Sequence, residues 1–283
     1  MKFIAFCHED GSSRVGGVQQ NNSNVVDLTA LGFGTDLKSL ICSKESDWKT
    51  IRETIQNTDA TLPIESINFL APIANPSRNI FCVGKNYLDH ATEFQSSGFD
   101  DANKTGTDIP ESPIIFSKAA STIIASGQSI PAYLDPLESV DYEGELTVVI
   151  GKEGRNIKSC DAMGHIFGYT IINDVTSRGL QKKHNQWFLG KNIDGFCPMG
   201  PSIVTSEDIK KVESLVLETR VNGELRQKAA INDLIFDIPT LIETISSVMT
   251  LFPGDVIATG TPAGVGVGYD PPKFLRAGDH VEI

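Results

Sequence analysis

The chain has 283 residues, 40% of them hydrophobic and 21% charged, with 25 glycines and 14 prolines. That balance supplies core for one large domain, or for a small unit joined to a larger one, and short apolar runs between many turn residues favour a β-rich chain over a helix bundle. Thirty-six acidic against 24 basic residues give a net charge of -12, which counts against a nucleic-acid partner, since phosphate backbones are bound through Lys and Arg.

Cys7, Cys42, Cys82, Cys160 and Cys197 are odd in number and scattered, with no C-x-x-C pair, so they read as thiols of a reducing compartment. The apolar run at residues 3–7 is too short for a signal segment, and no stretch nears the ~20 apolar residues that span a bilayer. The expectation is a soluble cytoplasmic protein, or a mitochondrial one if the source is eukaryotic, with no membrane partner.

In chain order, residues 1–70 read as a small N-terminal domain. Strands over residues 2–6 and 24–28 flank a polar stretch at 11–23, and a short helix follows over 47–56 with Ser46 as its cap. No residue there stands out as catalytic. Residues 71–283 form the larger domain. A strand over 80–83 stops at Gly84-Lys85-Asn86-Tyr87, and a helical turn over 88–94 follows. Residues 95–112 are polar, and a loop of that length in a compact domain is commonly a lid, so residues 88–112 are expected to close over a site. A further strand over 114–118 ends in Lys118. Strands are expected over 143–150, 167–173 and 255–259, and a helix over 238–251 with Pro239 in its first turn. Asn222-Gly223, after a strand over 216–221, is a hairpin turn.

Three acids carry the chemistry. Glu143 and Glu145 precede and enter the strand Leu-Thr-Val-Val-Ile150, and alternation puts both on one strand face. Two buried carboxylates repel unless a cation lies between them or they share a proton. Asp174 ends another apolar run, where open sites are commonly built. Oxygen donors without Cys or His suit a hard ion: Mg²⁺, Mn²⁺ or Ca²⁺. A solvated strand face for the glutamates and a turn or cap role for Asp174 are the alternatives. His90 and Glu93 stand i, i+3, so a helical turn lets them touch. Such a pair either activates water or sits on the surface.

The segments Val83-Gly-Lys-Asn-Tyr-Leu-Asp-His-Ala-Thr-Glu93, Asp141-Tyr-Glu-Gly-Glu-Leu146, Asn173-Asp-Val-Thr-Ser-Arg178 and Gln186-Trp-Phe-Leu-Gly-Lys191 occur in that order. Phe196-Cys-Pro-Met-Gly-Pro201 and Phe252-Pro-Gly-Asp-Val-Ile-Ala-Thr-Gly-Thr-Pro-Ala-Gly-Val-Gly266 follow. Together they resemble the fumarylacetoacetate hydrolase superfamily, from about residue 72 onward. The resemblance implies an α+β, β-rich fold, a mixed β-roll or sandwich with a small N-terminal domain, generally dimeric. It implies Mg²⁺ or Mn²⁺ on Glu143, Glu145 and Asp174, with His90 and Glu93 as a catalytic dyad on a lid. Lys191 would act in catalysis beside the ion, with Tyr87, Lys118, Arg178, Gln181 and Thr261 as substrate contacts.

The run Gly260-Thr-Pro-Ala-Gly-Val-Gly-Val-Gly268 is followed by Tyr269-Asp-Pro-Pro272 and not by a helix. It therefore fits neither a dinucleotide fingerprint nor a P-loop, and reads as a strand-end loop whose N–H groups receive a carboxylate. Two departures from the superfamily pattern stand out. Gly179 follows Arg178 where an acid is common, which puts support of Arg178 and Gln181 in question. The sequence stops at Glu282-Ile283, where relatives continue through a hairpin, so a sheet edge would need cover. The implied function is divalent-metal-dependent C–C hydrolysis of a small anionic 2-oxo or 1,3-dicarbonyl acid such as an acylpyruvate. The alternatives are an oxaloacetate decarboxylase or tautomerase, a 2-hydroxy-dienoate isomerase, or a non-catalytic metal-binding protein.

Overall fold

The computed structural model describes residues 1–59, 61–99 and 109–283, without the side chains of residues 45 and 46. The helix runs Glu45–Asn57 with Lys44 at the N-cap position, so Ser46 lies within its first turn and is not the cap expected from the sequence. The part of the lid at residues 100–108 is outside the described residues.

One mixed sheet dominates. Its central path runs from Lys2–Cys7 through Ser202–Thr205, Ile166–Asn173, Gly144–Ile150 and Val256–Ala258 to Ile80–Gly84 and Ile114–Lys118. Pairing is antiparallel except where Val256–Ala258 meets Ile80–Gly84 and where Cys197–Met199 meets Ile123–Ala125. Strand Gly144–Ile150 is buried on both faces, as its central place requires. The polar stretch at 11–23 contains a strand, Ser13–Val18, which pairs Lys2–Cys7 along its length. Two glycines at 16 and 17 hid it, because they weaken the β signal while letting Val25 and Ile55 pack against bare backbone.

The N-terminal strands extend the same sheet, and Phe3, Val15, Val26 and Leu28 share an apolar cluster with Cys82, Val149, Ile172 and Met199. The core is therefore continuous across residue 70. A second cluster lies between the sheet and helix Ile238–Val248, through Leu241, Ile242 and Ile245 against Val148 and Ile257. That helix has Pro in its first turn, and Asp237 caps it by accepting from Thr240 N at 2.9 Å. The hairpin Val216–Val221 with Glu224–Ala230 turns at Asn222 (φ 52°) and Gly223 (φ 80°), the left-handed pair that a two-residue turn needs. Strand Val281–Glu282 pairs with Val216–Val221. Among the described residues no helix is long and apolar enough to cross a membrane.

Candidate active site

Glu143 and Asp174 face each other because two strand ends are tied together. Strand Gly144–Ile150 pairs with Ile166–Asn173 so that Gly144 lies opposite Asn173. Asp174 N donates to Glu143 O at 2.8 Å, and Glu143 N donates to the Asn173 side chain at 2.9 Å. Gly144 is bare on the other face because the three-stranded sheet presses there: a Cβ would stand 2.2 Å from Thr219 Oγ1. Glu145, one residue on, accepts from Gly260 N at 2.8 Å. Ligand-type oxygens of Glu143, Glu145 and Asp174 lie within 4.8 Å of one another, and all three residues are buried.

Burial drives the Glu145 carboxyl well above the ordinary carboxylate range, and the neighbouring Asp174 and Glu143 push it further. Burial pushes Glu143 upward too, but Lys191 and then Arg178 outweigh it and bring that group down to about 2. The three carboxylates thus fit a divalent ion on two counts: an all-oxygen donor set, and one acid that ionises only at a cost without more positive charge nearby.

Cations already crowd the cluster. Lys191 Nζ donates to Glu143 Oε2 at 2.7 Å and to Asp174 Oδ2 at 2.8 Å. Arg178 Nη2 stands 2.7 Å from Glu143 Oε1, and Lys118 Nζ stands 2.9 Å from Asp174 Oδ1. Lys118 also donates to the carbonyls of Val175 and Lys191 and is fully buried. It does not line the cleft. Its ammonium is engaged by Asp174 and two backbone carbonyls, where a substrate contact was expected of it. Tyr87 is buried, its hydroxyl has no hydrogen-bond partner among the described residues, and its backbone bridges Leu234.

Arg178, Gln181, Lys191 and Thr261 do line the cleft, with His90 above the acids. Arg178 Nη1 donates to Gln181 Oε1 at 3.1 Å, and Arg178 Nε to Asp141 Oδ2 at 2.8 Å. The support that Gly179 put in question is thus present, and Gly179 is required where it stands: a Cβ there would meet Leu137 at 2.7 Å. Phe94, Phe116 and Trp187 close the apolar side of the cleft.

Helix Leu88–Ser96 carries His90 and Glu93 and lies on the Gly-rich loop. His90 Nδ1 is 3.5 Å from Glu93 Oε2, a contact without an aligned hydrogen bond. Both Glu93 oxygens accept from Gly264 N, at 3.0 and 3.1 Å. Beyond the helix, Lys182 Nζ donates to Gly98 O at 2.9 Å, and Phe99 meets Phe274 edge-on. Residues 88–99 are thus packed down on the site.

The Gly-rich loop does receive carboxylates, but they belong to the chain itself. Gly260 N binds Glu145, Gly264 N binds Glu93, and Gly266 N and Val267 N bind Asp141 at 2.6 and 3.0 Å. Asp141 has no assigned role in the sequence reading. It is fully buried and joins the loop to Arg178, and burial raises its carboxyl against the pull of Arg178. Gln227 was missed as well. It accepts from Gly144 N at 3.1 Å and donates to Thr261 Oγ1 at 2.7 Å, pinning the loop to strand Gly144–Ile150. A polar residue inside an expected hairpin gives no sign of that contact, whereas Asp141 opens the segment Asp141-Tyr-Glu-Gly-Glu-Leu146.

Gly268 offers a test of the dyad. A Cβ there would stand 2.0 Å from Glu93 Oε1 and 2.2 Å from its Cδ, the far end of a flexible side chain. Gly268→Ala should displace that carboxylate from His90, lowering kcat by about tenfold with little change in melting temperature. Wild-type kcat in a folded variant would show that the placement of Glu93 is unimportant.

Comparison with known proteins accords with this geometry. The family model described as Fumarylacetoacetate (FAA) hydrolase C-terminal matches residues 79–283. Oxaloacetate tautomerase YisK of Bacillus subtilis (strain 168) is 51% identical over 220 residues, 78% of this chain and 70% of its own. The mitochondrial oxaloacetate tautomerase fahd2 of Xenopus laevis is 40% identical over 287 residues, 99% of this chain and 86% of its own. The solved structure of maleylpyruvate hydrolase from Sphingobium sp. SYK-6, in complex with manganese(II) ion and pyruvate, matches with a TM-score of 0.78 at 29% identity, covering 99% of this chain and 93% of that one. With the acid cluster, the lid helix and the Gly-rich loop all in the matched region, the chain belongs to the fumarylacetoacetate hydrolase family.

Proposed function

We propose that the protein is a divalent-ion-dependent enzyme acting on a small 2-oxo acid, and that its reaction is keto–enol tautomerisation of an oxaloacetate-type 2-oxo dicarboxylate. The observation that carries a catalytic reading is one imidazole, His90, set against Glu93 in the cleft that holds Glu143 and Glu145. Similarity to two proteins named oxaloacetate tautomerase supports tautomerisation over hydrolysis.

Glu143, Glu145 and Asp174 would hold the ion, Mg²⁺ or Mn²⁺. Bound there, it would supply Lewis-acid chemistry, drawing charge from the carboxylate and carbonyl oxygens of a 2-oxo acid. The remaining work falls to the chain. Arg178 and Lys191 offset the overall charge of -12 where an anionic substrate must enter. Arg178 is rigid, held by Asp141 and Gln181, so it orients a substrate carboxylate without first losing its own freedom. His90 has Nδ1 beside Glu93, which leaves Nε2 to exchange protons. It takes the proton from the carbon next to the carbonyl, and a proton is returned to the carbonyl oxygen to complete the enol. Phe94, Phe116 and Trp187 form the apolar wall of the same cleft, beside the charged groups that would hold the acid.

The second reading is C–C hydrolysis of an acylpyruvate, with the same dyad activating water; the structural match to maleylpyruvate hydrolase favours it. One experiment separates them. Enol oxaloacetate and a panel of acylpyruvates would be followed by ultraviolet absorbance with and without Mg²⁺ or Mn²⁺, and products weighed by mass spectrometry. Faster enol–keto exchange of oxaloacetate with no change of mass is the expected result. Pyruvate plus a second acid from an acylpyruvate would mean hydrolysis, pyruvate plus carbon dioxide from oxaloacetate would mean decarboxylation, and no reaction with any of them would remove the catalytic reading.

A further inference from the structure

Two lysines sit on the acid cluster, and they are held in different ways. Lys118 has three partners: Asp174 Oδ1 and the carbonyls of Val175 and Lys191. It has no exposed surface. Among the described residues Lys191 donates only to Glu143 Oε2 and Asp174 Oδ2, and its side chain lines the cleft, with the ammonium 5.1 Å from the Phe116 ring centre. The oxygens that Lys191 bridges belong to two of the three acids that would hold a divalent ion. A hard ion needs lone pairs of those same carboxylates at about 2.0–2.1 Å, so it competes for them with the ammonium that bridges both. Two positive charges in one buried seat would also repel strongly.

We propose that Lys191 is an exchangeable counter-cation: its ammonium fills the seat between Glu143 and Asp174 when no divalent ion is there, and swings into the cleft when an ion enters. This rests on the metal-site reading above. Three consequences follow for the molecule. The acid cluster stays neutralised, and the fold intact, without metal. The ion binds more weakly than three buried carboxylates alone would allow, because it must displace an internal competitor. The Lys191 ammonium becomes available to a substrate anion only after the ion is seated, which makes loading ordered, ion first and acid second. Lys118 stays in place throughout.

The test is Mn²⁺ binding by calorimetry on chelator-treated protein, wild type against Lys191→Met. Removing the competitor and its charge should tighten Mn²⁺ by about tenfold or more. The same variant should melt at a lower temperature than the wild type in chelator, and Mn²⁺ should restore most of the difference. Lys191→Gln, neutral but still a hydrogen-bond donor, repeats the comparison if the Met variant does not fold. A wild-type measurement needs no variant: in lysine-ammonium NMR with Lys118 and Lys191 assigned, Mg²⁺ should move the Lys191 signal and leave the Lys118 signal in place. Mn²⁺ bound by both proteins and no tighter in either variant, or a Lys191 ammonium signal unmoved by saturating Mg²⁺, would overturn the exchange while leaving the metal site standing. No Mn²⁺ binding by wild type or variants would overturn both.

Discussion

Glu145→Gln should abolish divalent-ion binding and turnover while leaving the metal-free fold at least as stable as the wild type. The reason lies in how differently the two glutamates are paired. Glu143 is neutralised by Lys191 and Arg178, so Glu143→Gln would strand buried positive charge, and breaking a buried pair from one side costs about 3–5 kcal/mol. Among the described residues Glu145 has no such cation; it accepts from Gly260 N and faces two other acids. Its carboxyl is raised in the folded state, so its ionisation opposes folding: the penalty is absent at low pH and grows as pH rises above the ordinary carboxylate range. A Gln side chain keeps an oxygen for Gly260 N and removes that penalty. The expected readings are no Mn²⁺ heat in calorimetry, kcat at background, and a melting temperature in chelator equal to or above that of the wild type. Undiminished Mn²⁺ affinity in this variant would take Glu145 out of the metal site.

His90→Ala should lose about 10²–10⁴ in kcat, the usual worth of a positioned general acid–base group, while Mn²⁺ affinity changes little. His90 is not among the side chains whose ligand atoms gather at the acid cluster, where three carboxylates supply the oxygen donors. The split between lost turnover and retained metal is what distinguishes a proton-transfer group from a ligand. Oxalate, a bidentate mimic of a 2-oxo acid enol, should still bind the metal-loaded variant. If His90→Ala keeps wild-type kcat on the best substrate found, the proton must be handled elsewhere in the cleft. Loss of Mn²⁺ binding together with activity would instead make His90 part of the metal site.

The sequence by itself determined most of what is local. The hairpin at Asn222-Gly223, the helix after Asp237 and the strands around 80, 114, 144 and 166 all follow from turn chemistry, capping and alternation within a few residues. The same alternation singled out Glu143 and Glu145, and helical spacing brought His90 to Glu93. Strand Ser13–Val18 was hidden because its two glycines are there for close packing, which no local pattern displays. Only the tertiary structure decided what the buried charges do. Lys118 and Lys191 look alike as lysines beside apolar residues, yet one is locked to two carbonyls and the other bridges two acids over an open cleft. The glycines of the 260–268 loop declared a backbone able to receive carboxylates. That the carboxylates are Glu93, Asp141 and Glu145 depended on sheet register and on how the lid helix packs. Electrostatic roles of this kind are set by which groups share a volume from which water is excluded, and residues far apart in sequence reach that volume only once the sheet has closed.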